Sequence, residues 1–125
     1  MTATAPTVLV VDDEDDLREA IRRMLERRGF ATLTAAGPAE AEALCREHGG
    51  TIDLLLTDLT LPGGSGGDLA RTATSMRPDL RVLFVSGLPK EVAVGRGLVA
   101  EEAAMVQKPF TSDRLAEAVR SALEA

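Results

Sequence analysis

The 125-residue chain reads as an α/β protein in which five strand–helix units wind around one parallel sheet. Three observations carry this. Five short apolar stretches recur, and most are continuously apolar rather than alternating, as strands buried on both faces are. Segments with helical spacing lie between them. The connections are short, so strand and helix must alternate by right-handed crossovers that place helices on both faces of the sheet.

The elements follow in order. Val8–Val11 is the first strand. Leu17, Ala20, Ile21, Met24 and Leu25 then repeat at i, i+3, i+4, i+7 and i+8, the apolar stripe of a helix that Gly29 closes. Ala31–Ala35 is the second strand. Pro38 suits a first helical turn, and Ala41, Leu44 and Cys45 give a shorter stripe that ends at Gly49-Gly50. Leu54–Thr57 is the third strand, and Pro78 stops the helix after it. Val82–Val85 is the fourth. In Pro89–Glu102, Gly95 and Gly97 interrupt the periodicity, so the helix there is expected to be short or loose. Met105–Gln107 is the last strand. Thr111 can cap a final helix whose stripe is Leu115, Ala118, Val119, Ala122 and Leu123.

Composition narrows the function. Apolar residues make up 45% of the chain and charged residues 27%, which suits one globular domain. With no Trp or Tyr and three Phe, aliphatic side chains must fill the core. A net charge of −6 argues against a nucleic-acid stripe or an anionic-membrane anchor. No apolar run reaches the length of a membrane span, and the start lacks a secretory signal. Cys45 is alone, which leaves no disulfide within the chain and no Cys-based zinc site, and fits a cytoplasmic setting.

The chemistry is read at the strand ends. In an open α/β sheet, ligands bind beyond the carboxyl ends of the strands. Asp12, Asp13 and Glu14 follow the first strand, Asp58 the third, Ser86 the fourth and Lys108 the fifth, while the second ends in Ala35-Ala36 and offers nothing. Converging carboxylates repel and need a counter-charge. A partly filled set of hard oxygen ligands suits Mg²⁺, which keeps waters and accepts phosphate oxygens. A nucleophile, a metal and charge clamps are what phosphoryl transfer to a carboxylate requires. Asp58 stands alone at a central strand and is the candidate nucleophile. Adjacent Asp12 and Asp13 are the candidate metal pair.

These residues lie in VLVVDDE, DLLLTDLTLPGGSG, VLFVSG and VQKPF, and the ordered set resembles the receiver (response-regulator) family of bacterial two-component systems. The resemblance covers Val8 to Leu123. It implies a flavodoxin-like fold with strand order 2-1-3-4-5 and residues 7–124 as the receiver domain; the start MTATAPT, with no basic or apolar segment, reads by itself as a short disordered lead over residues 1–6. It implies Asp58 as phosphoacceptor, a Mg²⁺ held by Asp12, Asp13, Asp58 and the Thr60 backbone carbonyl, Ser86 as switch hydroxyl, Lys108 as phosphoryl clamp, and a cis Lys108–Pro109 peptide. The phosphodonor would be a sensor histidine kinase or a histidine phosphotransfer protein. With no output domain expected after residue 124, output would run through a downstream protein partner. The wording LLLTDLTLPGG, FVSGLP and VQKPFT is similar to receivers of hybrid sensor kinases. One position departs from the family. Where many relatives carry an aromatic residue that turns inward on activation, this chain has Met105, which has no ring or hydroxyl.

Competing readings attach to the same residues. The run Asp12–Asp16 could be only an acidic helix start favoured by the helix dipole. Gly63–Gly67 lacks the spacing and the trailing Lys of a phosphate-binding loop, and reads as a flexible loop with Gly66 at a special backbone angle. His48 reads as a surface residue, Cys45 as a small core hydrophobe, and the arginines at 22, 23, 27 and 28 as a solvated helix face. A phosphohydrolase with an aspartyl-phosphate intermediate would want an acid two residues after the nucleophile, where Thr60 stands. A phosphate-independent binding module would not need the acid pair, Asp58 and Lys108 together. The expectation is therefore a switch and not an enzyme.

Overall fold

The computed structural model describes residues 5–125. The elements run β1 (Thr7–Val11), α1 (Asp15–Arg27), β2 (Ala31–Ala35), α2 (Pro38–Glu47), β3 (Leu54–Asp58), β4 (Thr60–Leu61), β5 (Gly64–Ser65), α3 (Gly66–Met76), β6 (Arg81–Ser86), α4 (Lys90–Gly95), β7 (Met105–Gln107) and α5 (Ser112–Glu124). Five strands form one parallel sheet in the order β2-β1-β3-β6-β7, which is 2-1-3-4-5 when the β4–β5 hairpin is set aside. This is the flavodoxin-like arrangement. Of the expected disordered lead, residues 1–4 lie outside the described residues; the Pro6 carbonyl accepts a hydrogen bond from the Ala31 amide at 2.9 Å.

The continuous apolar runs are explained by burial on both faces. Val8, Leu9 and Val10 in β1, and Leu54 and Leu55 in β3, are fully buried. Alternation then sorts them between two layers. Leu9, Val11 and Leu55 pack with Ala41 and Cys45 of α2, Leu69 and Ala73 of α3, and Ala93 of α4. Val8, Val10, Leu54 and Leu56 pack with Ile21 and Leu25 of α1 and with Leu115 and Val119 of α5. Burial pushes the Cys45 thiol above its usual pKa, so it stays protonated and acts as a core hydrophobe.

Local signals hold where they were strongest. Gly29, at φ +90°, follows α1, and the Thr111 side chain accepts from the Arg114 amide at 3.1 Å to cap α5. The helix at Pro89–Glu102 shrinks to six residues, with no side-chain cap. His48 is the C-cap of α2, which places it at the sheet edge opposite the strand carboxyl ends. Its carbonyl accepts from the Arg77 guanidinium at 2.6 Å.

The segment from 63 to 67 differs from the expected flexible loop. Pro62 and Gly63 form the turn of the β4–β5 hairpin, and Gly63 supplies the positive φ of +78° that a Pro-Gly turn uses at its second central position. Gly66 has no positive φ. It is needed for space, because a Cβ there would lie 2.3 Å from the Asp58 carbonyl oxygen and 3.0 Å from the Leu59 Cα. Its amide donates to the Leu59 carbonyl at 2.8 Å. Ser65 caps α3 by accepting from the Asp68 amide at 3.0 Å. The glycine run thus seats α3 against the backbone of Asp58.

A matched pair of variants tests this. Gly66→Ala is expected to destabilise the fold by about 1–3 kcal/mol, through forced displacement of backbone rather than of a side chain. At Gly67 a Cβ would meet the Leu98 carbonyl at an ordinary 3.5 Å. Gly67→Ala should therefore be neutral, or gain up to ~1 kcal/mol of helix propensity. Denaturant midpoints measured side by side check the difference, and equal effects at the two positions would refute the spatial role of Gly66.

Candidate functional site: an acid cluster with one lysine

The carboxyl ends of β1, β3, β6 and β7 bring the predicted residues to one edge of the sheet. The acidic run splits in two. Glu14 is the N-cap of α1, and Asp15 and Asp16 lie in its first turn, where the helix dipole favours them. Asp12 and Asp13 precede the helix and turn toward β3. Asp12 is buried at 2% exposure and Asp13 is exposed. One Asp12 oxygen accepts from the Glu14 amide at 2.9 Å.

Asp58 ends β3 and is half-buried. Its Oδ1 accepts from the Thr60 amide at 3.1 Å, and its Oδ2 accepts from the Lys108 ammonium at 2.9 Å. The same ammonium lies 3.5 Å from Asp12 Oδ2. Lys108 owes its position to β7: its amide donates to the Ser86 carbonyl at 2.8 Å, one step beyond the Ser86–Gln107 register pair. The Lys108–Pro109 peptide is cis. Burial pulls the Lys108 pKa down, but the hydrogen bond it donates to Asp58 and the fields of Asp58 and Asp12 outweigh it and leave the ammonium above its ordinary value.

Asp12, Asp13 and Asp58 each offer a carboxylate oxygen within 4.8 Å of the others. Mg²⁺ takes carboxylate oxygens together with waters, so three such oxygens on one side of a site leave room for water and phosphate oxygens. The charges agree with this, since a single lysine faces three carboxylates. The donor set therefore fits a hard divalent cation.

The remaining predicted residues are placed as follows. Ser86 is buried at the end of β6, and its Oγ accepts from the Leu88 amide at 3.0 Å. Thr60 is exposed and pairs with Ser65 across the small hairpin. Met105 is half-buried, lies beside Phe84 in register, and packs on the layer that contains α4. Sequence reasoning missed Arg18. Its guanidinium donates to the Asp12 carbonyl at 2.8 Å and to Asp15 at 2.7 Å, and so ties the acid turn to α1. An arginine about one turn into a helix carries no spacing signal for that contact.

Residues 8–120 match the family model of the response regulator receiver domain. The chain belongs to that family. This receiver is 36% identical to the sensor kinase CckA of Brucella abortus, over 94% of this chain and 12% of the kinase. It is 34% identical to the chemotaxis protein CheY of Pseudomonas aeruginosa, over 94% of this chain and 95% of that protein. Among solved structures, a response regulator receiver protein from Sinorhizobium medicae superposes with a TM-score of 0.82 at 30% identity, covering 97% of this chain and 96% of that one. The kinase match agrees with the resemblance in wording to receivers of hybrid sensor kinases. The receiver thus spans a small fraction of some relatives and nearly all of others. It is a module of two-component signalling. Among the described residues, no helix is long and apolar enough to cross a membrane.

Proposed function

We propose that this receiver is a phosphorylation-dependent switch that accepts a phosphoryl group on Asp58 from a phosphohistidine, with Mg²⁺, and signals by protein contact. The observation that carries this reading is the Lys108 ammonium set between Asp58 and Asp12 within a three-carboxylate cluster. The donor is a sensor histidine kinase or a histidine phosphotransfer protein, and the setting is cytoplasmic.

Each residue has a task. The Thr60 amide on Oδ1 and the Lys108 ammonium on Oδ2 orient the Asp58 carboxylate toward an incoming phosphorus. A carboxylate oxygen forms the new O–P bond as the P–N bond breaks, and the electron pair leaves with the imidazole. Asp12, Asp13, Asp58 and the Thr60 carbonyl hold the metal, which when bound neutralises charge on the phosphoryl oxygens. Lys108 can move its contact from the carboxylate to a phosphoryl oxygen. Ser86 accepts from Leu88 and still has its own hydroxyl proton to donate to that group. Thr60 presents no carboxyl that could act as a general acid, so turnover of outside substrates is not expected. Loss of the phosphoryl group is then assisted by the domain's own site.

Incubation with acetyl phosphate and Mg²⁺, followed by intact-mass measurement, should give one phosphoryl adduct. The metal assignment has its own check. Asp13→Ala should weaken Mg²⁺ binding by roughly tenfold or more, because it removes a unit charge a few Å from a dication. It should raise metal-free stability by up to ~1 kcal/mol, because an exposed carboxylate no longer repels its two neighbours. Mg²⁺ titration by amide shifts reads the first effect and urea unfolding the second. Unchanged titration would remove Asp13 from the metal site.

A further inference from the structure

Lys90 opens α4, and its side chain is committed to an unusual partner. The Nζ donates to the Ala103 carbonyl at 2.6 Å, across the whole turn between α4 and β7. Glu91 and Glu101 line the same cleft of about 410 Å³, yet among the described residues Lys90 forms no ion pair. The ammonium is held by a backbone carbonyl instead.

The two ends of this bond lie at informative places. On one side, Lys90 is two residues from Leu88, whose amide is held by Ser86 Oγ at 3.0 Å. On the other side, Ala103 precedes Ala104, whose carbonyl accepts from Phe84 at 3.0 Å and starts the β6–β7 pairing. The Ala103 amide is itself held by the Ala100 carbonyl at 3.1 Å. Ala93 of α4 packs in one layer with Val99, Ala103 and Met105. α4 has no side-chain cap, and the loop before it meets β7 through Gln107 Nε2, which donates to the Gly87 carbonyl at a long 3.5 Å.

We propose that Lys90 is a positioning residue, a latch that couples the Ser86–Pro89 loop to the Ala103–Ala104 segment ahead of Met105. When the Ser86 hydroxyl turns to a phosphoryl group it releases the Leu88 amide. The backbone from 88 to 90 then shifts, and Lys90 carries that shift to the Ala103 carbonyl. Met105 can repack in either state at little cost, so the latch rather than the thioether links the two segments. This coupling role rests on the reading of Asp58 as phosphoacceptor, whereas the resting contact does not.

The experiment compares the parent with Lys90→Met and Lys90→Arg, which keep the stem and respectively remove or retain the donor. Without any ligand, amide hydrogen exchange at Ala103, Val92 and Ala93 should quicken roughly tenfold in Lys90→Met, as loss of a charged donor's hydrogen bond implies, and return toward parent rates in Lys90→Arg. With beryllofluoride and Mg²⁺, amide shifts at Thr60 and Leu88 should persist in all three proteins. Those at Ala103 and Ala104 should shrink by more than half in Lys90→Met alone, while Met105–Gln107 changes little throughout. Equal exchange and equal Ala103 shifts in Lys90→Met and parent would overturn the latch. Faster exchange with undiminished Ala103 shifts would overturn its coupling role. No shift at Thr60 even in the parent would overturn the phosphoacceptor reading, and the ligand-free exchange would still decide the contact.

Discussion

Replacing Asp58 with Asn is expected to abolish the phosphoryl adduct formed with acetyl phosphate and Mg²⁺, from a readily detected species to none. The amide is nearly isosteric with the carboxylate but is not a nucleophile, and it supplies a weaker metal ligand. The fold should survive. The variant loses one contact with Lys108 and also loses the repulsion between Asp58 and its neighbours, so the two effects oppose. Intact mass reads the adduct, and the unfolding midpoint reads the fold. An adduct of undiminished yield on a folded Asp58→Asn variant would place the acceptor elsewhere.

Lys108→Ala should produce the second large effect, because it acts on the charge balance of the whole cluster. The side chains of Lys108, Asp12 and Asp58 are 24%, 2% and 15% exposed. Breaking a fully buried pair costs about 3–5 kcal/mol, and the partial exposure of the ammonium reduces this to about 1–3 kcal/mol. Mg²⁺ should restore part of the loss, since a dication supplies the missing positive charge. Lys108→Met, which keeps the apolar stem, separates charge from packing. The pH dependence follows from the raised Lys108 pKa. A group whose folded pKa lies above its unfolded value contributes fully below that unfolded value, here 10.5, and loses the contribution as pH rises through the folded one. The stability gap between parent and Lys108→Met should therefore stay level from about pH 6 to 9 and close only in strong alkali. Phosphorylation by acetyl phosphate should slow, and amide shifts on beryllofluoride addition should shrink between Ser86 and Lys108. Equal shifts in variant and parent at Ser86–Pro89 and at Lys108 would refute the link from the acid cluster to the loop after β6.

Much of this molecule is legible in one dimension because its signals are short-range. Val8–Val11 and Leu54–Thr57 are continuously apolar because both faces of a central parallel strand are covered. Leu17, Ile21 and Leu25 keep one helical stripe, and Gly29 and Thr111 mark ends with backbone or capping chemistry of their own. The strand-end rule then gathers Asp12, Asp13, Asp58 and Lys108 without any knowledge of distances. Where local signals conflict, the reading weakened. The glycines at 63–67 suggested looseness, but a Pro-Gly turn and a space requirement made the segment ordered.

The sequence by itself determined the alternation of elements, the two-sided burial of the sheet and the identity of the acid cluster, since each depends on residues close in the chain or on a periodic pattern. Only the tertiary structure decided how deeply each acid is set, with Asp12 buried and Asp13 exposed. It alone decided that Gly66 is a spacer against the Asp58 carbonyl, that Arg18 ties down the Asp12 turn, and that Lys90 reaches Ala103. Those contacts join long, flexible side chains or backbone atoms to groups brought near by folding. Their partners are set by distances of a few Å in space, on which composition and spacing carry no information.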